Sequence, residues 1–259
     1  MEIVILRSAE EVDYAAADIV ERVVRAGRAV LGLATGSSPV GAYRELARRH
    51  RGNGLSFAQC SAYLLDEYIG IPTSAEQSYF SFIRENFVDQ VDLDDAAVFS
   101  PDGEATDISA EAQRYDAAIS AAGGVDVQIL GIGTDGHIGF NEPGSSLRSR
   151  TRVKTLTEQT RADNARFFAS PDDVPHHVIT QGLGTIGEAR HLVLIATGES
   201  KAEAIAAAVE GPLSAFCPAS TIQWHPHVSV LLDEAAASAL SLVDYYRYAY
   251  ANKPAWQDL

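Results

Sequence analysis

The sequence is poor in cysteine: among 259 residues only Cys60 and Cys217 occur, far apart and without metal-ligand spacing. This disfavours a disulfide framework and a zinc site, and a reducing compartment is the simpler interpretation. No apolar stretch approaches the roughly 18 residues that a membrane-spanning helix needs. The first residues, Met-Glu-Ile-Val-Ile-Leu, place an acid where a signal peptide carries positive charge. We therefore expect a cytoplasmic protein.

Basic residues are also scarce: 20 Lys plus Arg stand against 35 Asp plus Glu, which gives a formal net charge of −15. Nucleic-acid binding needs a basic face, because counterion release from the phosphate backbone drives it. The composition therefore argues against a nucleic-acid partner, and an acidic surface also repels anionic membranes. Lysine is the rarest cation, with three residues against 17 arginines.

Apolar runs alternate with stretches of helical periodicity along the whole chain. Runs typical of buried strands occupy residues 3–6, 29–33, 63–65, 125–130, 191–196 and 228–232. Helical patterns occupy residues 12–23, 77–87, 108–122 and 200–209, and a further helix begins near Pro39. Continuous apolar strands between helices predict an α/β fold with a mainly parallel sheet covered by helices on both faces. No flexible linker divides the chain, so we expect a single domain over residues 1–259.

Polar residues follow several of these strands, at the sheet edge where ligands of parallel sheets bind. The turn after the second strand reads Thr-Gly-Ser-Ser-Pro and leads into a helix. Its hydroxyls, its backbone N–H groups and the helix N-terminus can together bind a sugar phosphate, with an ordinary helix cap as the alternative. The candidate phosphate-binding residues are Thr35, Gly36, Ser37 and Ser38. Lys201 lies at another strand-to-helix turn and is a candidate for the same phosphate.

Acidic residues and a histidine provide candidates for proton transfer. Asp66 and Glu67 stand where the third strand ends, and burial there would raise the pKa of a carboxyl group toward neutrality; two solvated loop acids are the alternative. In the glycine-rich stretch 131–144, Asp135 and Glu142 flank His137 and can orient its imidazole. Metal binding by these three residues is a rival hypothesis, although one histidine and two acids are a weak zinc set.

Positive charge is concentrated between residues 148 and 166, against the sign of the whole chain. Six cations stand there against two acids, Glu158 and Asp163. We expect this segment to hold an anion. The six cations are Arg148, Arg150, Arg152, Lys154, Arg161 and Arg166.

Together these motifs resemble the glucosamine-6-phosphate deaminase family, in order from the first strand to about residue 233. The motifs that carry the likeness are residues 33–39 (Leu-Ala-Thr-Gly-Ser-Ser-Pro), 65–68 (Leu-Asp-Glu-Tyr), 131–143 (Gly-Ile-Gly-Thr-Asp-Gly-His-Ile-Gly-Phe-Asn-Glu-Pro), 149–152 (Ser-Arg-Thr-Arg), 164–168 (Asn-Ala-Arg-Phe-Phe) and 200–201 (Ser-Lys). The block from residue 131 to 152 is highly specific. The resemblance implies a Rossmann-like three-layer α/β sandwich and the reversible conversion of glucosamine 6-phosphate and water to fructose 6-phosphate and ammonia, with no metal or other cofactor.

The resemblance also implies roles for particular residues. Asp66 would move a proton between carbons 2 and 1 of the open-chain sugar, and His137, oriented by Asp135 and Glu142, would open the pyranose ring. Arg166 and Lys201 would complete the phosphate site on the 35–38 turn, and a mobile lid would cover it around residues 155–175. Some members are hexamers activated by N-acetylglucosamine 6-phosphate. Part of that second anion site is matched by Ser145, Arg152 and Lys154, so we expect a hexamer if the site functions and a monomer otherwise.

The sequence departs from the family pattern at a few positions. Ala34 replaces a usual Pro, Ser37 and Ser38 replace Gly-Thr, and Gly139 replaces a common Ala; each change keeps small size or a hydroxyl. Two alternatives share the fold. The 6-phosphogluconolactonases resemble the Gly-x-Gly-x-Asp-Gly-His element, but they continue with a Ser-Leu-Phe-Pro type run in place of residues 140–143. A non-catalytic sugar-phosphate sensor would need a DNA-binding element, for which the acidic chain leaves no room.

Overall fold

The computed structural model describes residues 1–254, 256 and 257, with residue 163 described by its backbone alone. The predicted domain extends to residue 259, so its residues 255, 258 and 259 lie outside the described part, and the single-domain organisation stays a prediction. No helix within the described residues is long and apolar enough to cross a lipid bilayer.

A seven-stranded sheet with the strand order β1-β10-β9-β6-β2-β3-β5 forms the centre of the fold, and all of its strand pairs are parallel. Its strands are β1 (Glu2–Leu6), β2 (Val30–Leu33), β3 (Ser61–Leu64), β5 (Val98–Phe99), β6 (Val127–Leu130), β9 (His191–Ala196) and β10 (Val228–Asp233). Every residue of β2, β6 and β9 is buried, which is why these segments are mostly apolar in the sequence, with Gln128 and His191 as buried polar exceptions. The prediction of a parallel α/β sandwich is confirmed.

Helices surround this sheet and are connected to it by short loops. Their bounds are α1 (Ala9–Arg25), α2 (Val40–Asn53), α3 (Tyr79–Asn86), α4 (Ile108–Ala121), α5 (Glu158–Asn164), α6 (Leu183–Ile186), α7 (Ala202–Val209) and α8 (Val243–Ala251). The Ser8 hydroxyl caps α1 by accepting from the N–H of Glu11. The carboxylate of Glu11 in turn accepts from the N–H of Arg7, the residue before the cap.

A second, three-stranded antiparallel sheet was not predicted. It consists of β4 (Asp66–Tyr68), β8 (His177–Thr180) and β7 (Arg152–Thr155), in the order β4-β8-β7. The chain passes from β3 into β4 through the single residue Leu65, so no turn residues separate the two strands in the sequence. This small sheet extends beyond the carboxyl end of β3 and carries Asp66 away from the central sheet.

Two buried tyrosines hold the ends of the strands that lead to the polar residues. The hydroxyl of Tyr43 donates to the carbonyl of Ala34 at 2.8 Å and accepts from its N–H at 3.0 Å. The hydroxyl of Tyr115 donates to the carbonyl of Leu64 at 2.8 Å. Because a buried backbone group without a partner costs free energy, these bonds favour one backbone position where β2 and β3 end.

Histidines cluster at the amino ends of β9 and β10, far along the strands from the polar edge. The rings of His191 and His227 stack at a centroid distance of 3.6 Å, and His191 Nε2 lies 2.9 Å from the Ser229 hydroxyl. Burial, together with the neighbouring imidazoles of His227 and His225, lowers the pKa of His191 to about 3. A protonated imidazole is therefore strongly disfavoured at this place in the folded protein.

We expect the contribution of His191 to the free energy of unfolding to fall as the pH is lowered from 7 to 5. The unfolded chain takes up a proton on His191 below its ordinary pKa of about 6.5, whereas the folded chain does not, so acid favours unfolding by up to about 2 kcal/mol at this residue. Denaturant titrations at the two pH values should therefore show that His191→Gln shifts the change in unfolding free energy between pH 7 and pH 5 in favour of the folded state. The same substitution at the exposed His176 provides the control, and a change between the two pH values that is unaltered by His191→Gln would contradict this account.

Candidate active site

A cavity of about 630 Å³ lies at the carboxyl ends of the central strands. It opens where the strand order reverses, because β2 leads to β3 on one side while β6 leads to β9 on the other. This is the switch point at which parallel sheets bind their ligands. The walls include residues that follow β2, β3 and β6, residues of α3, the segment from Thr160 to Phe167, and Lys201.

The predicted phosphate turn forms one wall of the cavity. Thr35, Gly36, Ser37 and Ser38 all line it, and α2 begins at Val40 directly after them. Gly36 has a φ of +89°, a left-handed conformation that side chains disfavour, so glycine is required there. The turn therefore presents hydroxyls and backbone N–H groups at the positive end of a 14-residue helix.

Asp66 lies on the next wall, 4% exposed, on the first residue of β4. It pairs with Thr180 across the small sheet, and the Thr180 hydroxyl hydrogen-bonds to its carboxylate. Burial, and then the negative charge of Glu67, raise the pKa of Asp66 to about 8, although His137 and the Thr180 bond oppose the shift. A carboxyl group in this state can accept and return a proton near neutral pH.

Glu67 does not join Asp66 in the cavity, because consecutive residues of a strand point to opposite faces. Its carboxylate is fully buried and accepts three backbone N–H groups, from Tyr68, Tyr79 and Phe80, at 2.9–3.0 Å. Burial nevertheless raises its pKa. Glu67 thus attaches β4 to the first turn of α3 and keeps a negative charge near Asp66.

His137 lines the cavity on the loop that follows β6, with both predicted carboxylates beside it. Its Nδ1 lies 2.6 Å from Asp135 Oδ1 and 3.5 Å from Glu142 Oε2. Burial alone would lower the pKa of His137, but the close contacts with Asp135 and Glu142 and their negative charges outweigh it and raise the pKa to about 9. The contact with His137 in turn lowers the pKa of Asp135. With Nδ1 held by acids, Nε2 is the ring nitrogen left to act on a ligand.

A glycine allows this histidine to fold back over its own loop. A Cβ at Gly133 would come within 2.2 Å of His137 Cε1, and the Gly133 N–H donates to the His137 carbonyl at 2.9 Å. At Gly133 the side chain that approaches is the imidazole itself.

The same three side chains form a possible metal-binding group, with donor atoms within 4.8 Å of one another. A tetrahedral ion about 2.1 Å from each ligand would hold two donors about 3.4 Å apart. The 2.6 Å between His137 Nδ1 and Asp135 Oδ1 is too short for such a pair and is the length of a charge-assisted hydrogen bond. The geometry therefore favours proton transfer over metal coordination.

The positive segment does not form one anion site, contrary to the expectation from its charge. Among the described residues, Arg166 is the one cation of this segment that lines the cavity. Lys201, which lies outside the segment, lines the cavity as well. Arg150 instead pairs with Asp116 at 2.7 Å and with Glu188 at 2.5 Å. The segment is divided between β7, α5 and their loops, so neighbours in the sequence point to different parts of the surface.

The residues predicted for a second anion site lie outside the set that lines the cavity. Arg152 donates to the side chain of Asn141 at 2.9 Å, and burial lowers its pKa. Ser145 is buried, and its hydroxyl has no hydrogen-bond partner among the described residues. Lys154 is partly buried on β7, two residues after Arg152.

Sequence reasoning assigned no role to four further residues that line the cavity, namely Tyr68, Tyr79, Thr160 and Asn164. The two tyrosines stack at 4.6 Å, and Asn164 Nδ2 donates to the Tyr68 hydroxyl at 2.9 Å. The spacing of two between Asp66 and Tyr68 places both on one face of a strand, and this signal was present in the sequence.

Comparison with known proteins identifies the family. The family model described as "Glucosamine-6-phosphate isomerases/6-phosphogluconolactonase" matches residues 7–231. The chain belongs to this family. It is 72% identical to the glucosamine-6-phosphate deaminase of Rhodococcus jostii (strain RHA1), over 99% of each chain. It is 57% identical to the protein of that name from Mycolicibacterium smegmatis (strain ATCC 700084 / mc(2)155), over 100% of each chain.

Solved structures of the family agree with this fold. A monomeric glucosamine-6-phosphate deaminase, 42% identical, superposes with a TM-score of 0.90 over 92% of this chain and 100% of its own. A 6-phosphogluconolactonase from Trypanosoma brucei, 24% identical, reaches a TM-score of 0.69 over 93% of this chain and 98% of its own. The second likeness concerns the fold alone.

We expect Asp135→Asn to lower the pKa of His137 from about 9 toward its ordinary value, because the amide keeps the shape but removes the closest negative charge. Titration of the histidine ring resonances by NMR measures this shift. Asp92→Asn, which removes a carboxylate beside His50, should leave His137 unchanged. A His137 resonance that titrates below pH 7 in the unsubstituted protein would contradict the assignment.

Proposed function

We propose that this protein catalyses the isomerising deamination of glucosamine 6-phosphate, which with water yields fructose 6-phosphate and ammonia. The observation that carries the proposal is that Asp66 and His137 share one cavity with the 35–38 turn. A proton-transfer pair beside an anion-binding helix end suits a phosphorylated sugar that must lose and regain a proton on carbon. The full-length relatives that bear the name glucosamine-6-phosphate deaminase support this assignment.

Ring opening is assigned to His137. Its pKa of about 9 keeps the imidazole protonated at neutral pH. Nε2 can donate this proton to the ring oxygen of the pyranose as the bond to carbon 1 breaks, and the neutral ring then takes the proton of the 1-hydroxyl. Asp135 and Glu142 stabilise the imidazolium and hold the ring in place throughout.

Proton transfer along the open chain is assigned to Asp66. Its carboxylate removes the proton of carbon 2 while the carbonyl oxygen of carbon 1 takes a proton from the His137 imidazolium, which forms an enolamine, and the resulting Asp66 acid delivers the carbon-2 proton to carbon 1. This leaves an imine at carbon 2, to which water adds as ammonia departs. The Asp66 pKa of about 8 suits both the removal of the proton from carbon 2 and its delivery to carbon 1. The fraction of Asp66 in the carboxylate form increases as the pH rises through that value.

The phosphate is assigned to the 35–38 turn, with Arg166 and Lys201 as its cationic partners. Arg166 belongs to the short helix Ala165–Phe167, and Lys201 ends the helix Glu199–Lys201. Gly198, which directly precedes the latter helix, donates its N–H to both carboxylate oxygens of Asp233 at 3.0–3.1 Å. This contact at the end of β10 holds the backbone that carries Lys201.

We further propose that residues 155–175 act as a lid over the cavity. Thr160, Asn164, Arg166 and Phe167 from this segment already line the cavity wall. The segment is attached to the rest of the chain largely by side-chain contacts, such as those of Asn164 with Tyr68. Closing it over the substrate would exclude water from the enolamine until carbon 1 is protonated.

Regulation and assembly stay predictions. Ser145, Arg152 and Lys154 form the proposed second anion site, for which the unpartnered Ser145 hydroxyl and the half-buried Arg152 provide the chemical support. The monomeric state of the 42% identical relative supports the monomer option. A cytoplasmic location and a place in N-acetylglucosamine catabolism likewise rest on the sequence expectations.

One assay separates this proposal from its alternatives. We expect purified protein to release equal amounts of fructose 6-phosphate and ammonia from glucosamine 6-phosphate, with and without a chelator. A run with added N-acetylglucosamine 6-phosphate, paired with light scattering, tests activation and oligomeric state. Turnover of 6-phosphogluconolactone instead would favour the lactonase, and folded protein inactive on both substrates would favour a sensor.

We expect Asp66→Asn to lower kcat by about 10²- to 10⁴-fold, because a positioned base is worth about that much. The substitution is isosteric, so the melting temperature provides the check on folding. Asp92→Asn serves as the matched control at a distant carboxylate. A variant that keeps more than about a tenth of the activity would exclude Asp66 as the base.

We expect Lys201→Met to weaken inhibition by inorganic phosphate about 10- to 100-fold, which corresponds to the loss of one charged hydrogen bond. The KM for glucosamine 6-phosphate should rise in parallel. Lys253→Met is the matched control, because Lys253 pairs with Glu2 near the chain ends. An unchanged inhibition constant would place the phosphate elsewhere.

A further inference from the structure

Thr160 connects the predicted lid to the acid–base group at His137. It lies on α5, and its hydroxyl donates to Glu142 Oε1 at 2.8 Å. The other oxygen of the same carboxylate, Oε2, lies 3.5 Å from His137 Nδ1 and is buried without a hydrogen bond. One carboxylate therefore joins a lid helix on one side to the imidazole on the other.

A short chain of hydroxyls supports this contact. Thr157 caps α5 by accepting from the N–H of Thr160 at 3.1 Å, and the two threonine hydroxyls lie 2.8 Å apart. With the Thr160 proton directed at Glu142, the Thr157 hydroxyl can donate to the Thr160 oxygen. Glu142 is thereby connected through two hydroxyls to the amino-terminal turn of α5.

A second hydrogen bond attaches the same face of α5 to strand β4. Thr160 and Asn164 are four residues apart, so their side chains lie on one face of α5. Asn164 donates to the Tyr68 hydroxyl on β4, the strand that carries Asp66. This face of α5 thus contacts Glu142 beside His137 and the strand that carries Asp66, and of these two contacts the one made by Thr160 ends on a charged group.

We propose that Thr160 is a positioning residue, whose hydroxyl fixes the Glu142 carboxylate against His137 when the lid covers the cavity. Glu142 is 5% exposed, so no bulk water is available to replace the lost donor when the hydroxyl leaves. Closure of the lid therefore also places Glu142 against His137. The imidazole is best oriented when the lid encloses the substrate. The inference rests on the proposed deaminase function.

The charges around His137 determine in which direction its titration should shift when the Thr160 hydroxyl is removed. Asp135 and Glu142 raise its pKa, and Asp66 faces it across the cavity. Without the Thr160 hydroxyl, the Glu142 carboxylate is less firmly held and its interaction with the imidazole weakens. The His137 transition should therefore move to lower pH, while the phosphate contacts that dominate substrate affinity are untouched.

The test compares Thr160→Val, which keeps the shape, with Thr160→Ser, which keeps the hydroxyl. We expect Thr160→Val to lower kcat about tenfold with KM changed less than about twofold, and to shift the basic limb of the kcat–pH profile downward. Thr160→Ser should restore both. Thr106→Val is the matched control, because Thr106 is an exposed threonine before α4.

The outcomes separate this inference from the function on which it rests. If the unsubstituted protein releases no ammonia, the proposed function fails. If it does, and Thr160→Val keeps more than half of kcat with an unchanged pH profile, the role of Thr160 is excluded while the function stands. Should Thr160→Val melt at a much lower temperature, Thr160→Ala and the NMR titration of His137 provide the same comparison.

Discussion

The parallel pairing of β2 with β6 is the constraint on which the site depends. These strands are neighbours in the sheet, but their onward connections run in opposite directions, so a crevice opens between the loops that follow them. A Cβ at Gly131 would lie only 3.7 Å from Ser38, which shows how closely the two loops approach. The 35–38 turn and the histidine loop meet at this crevice because each follows one of the two paired strands.

The pKa values of Asp66 and His137, the two groups assigned to proton transfer, are both raised, but by different physical causes. Burial makes the charged form of Asp66 costly, and the neighbouring Glu67 adds to that cost, so its pKa rises. Burial acts on His137 in the opposite sense, but two carboxylates outweigh it, and its pKa rises as well. A carboxyl group that ionises late beside an imidazole that stays charged is suited to moving protons in both directions.

The acidity of the chain and the anionic substrate class are compatible because charge acts locally. A net charge of −15 describes the whole molecule, whereas the cavity is lined by Arg166, Lys201 and the positive end of α2. The other cations of the positive segment serve different ends, as in the pairing of Arg150 with Asp116. Counting charges along the sequence identified the segment but not which of its members face the ligand.

The sequence by itself determined the parallel α/β fold, because strands buried on both faces must be continuously apolar, and it determined the chemistry of the loops that follow them. Asp135, His137 and Glu142 lie within eight residues of chain, so local turns bring them together. The tertiary structure alone decided that Asp66 enters the cavity while Glu67 turns away to cap α3, since one short antiparallel strand sets that alternation. It also decided the contacts of Thr160 and Thr180, which depend on side chains far apart in the sequence meeting at hydrogen-bond distance.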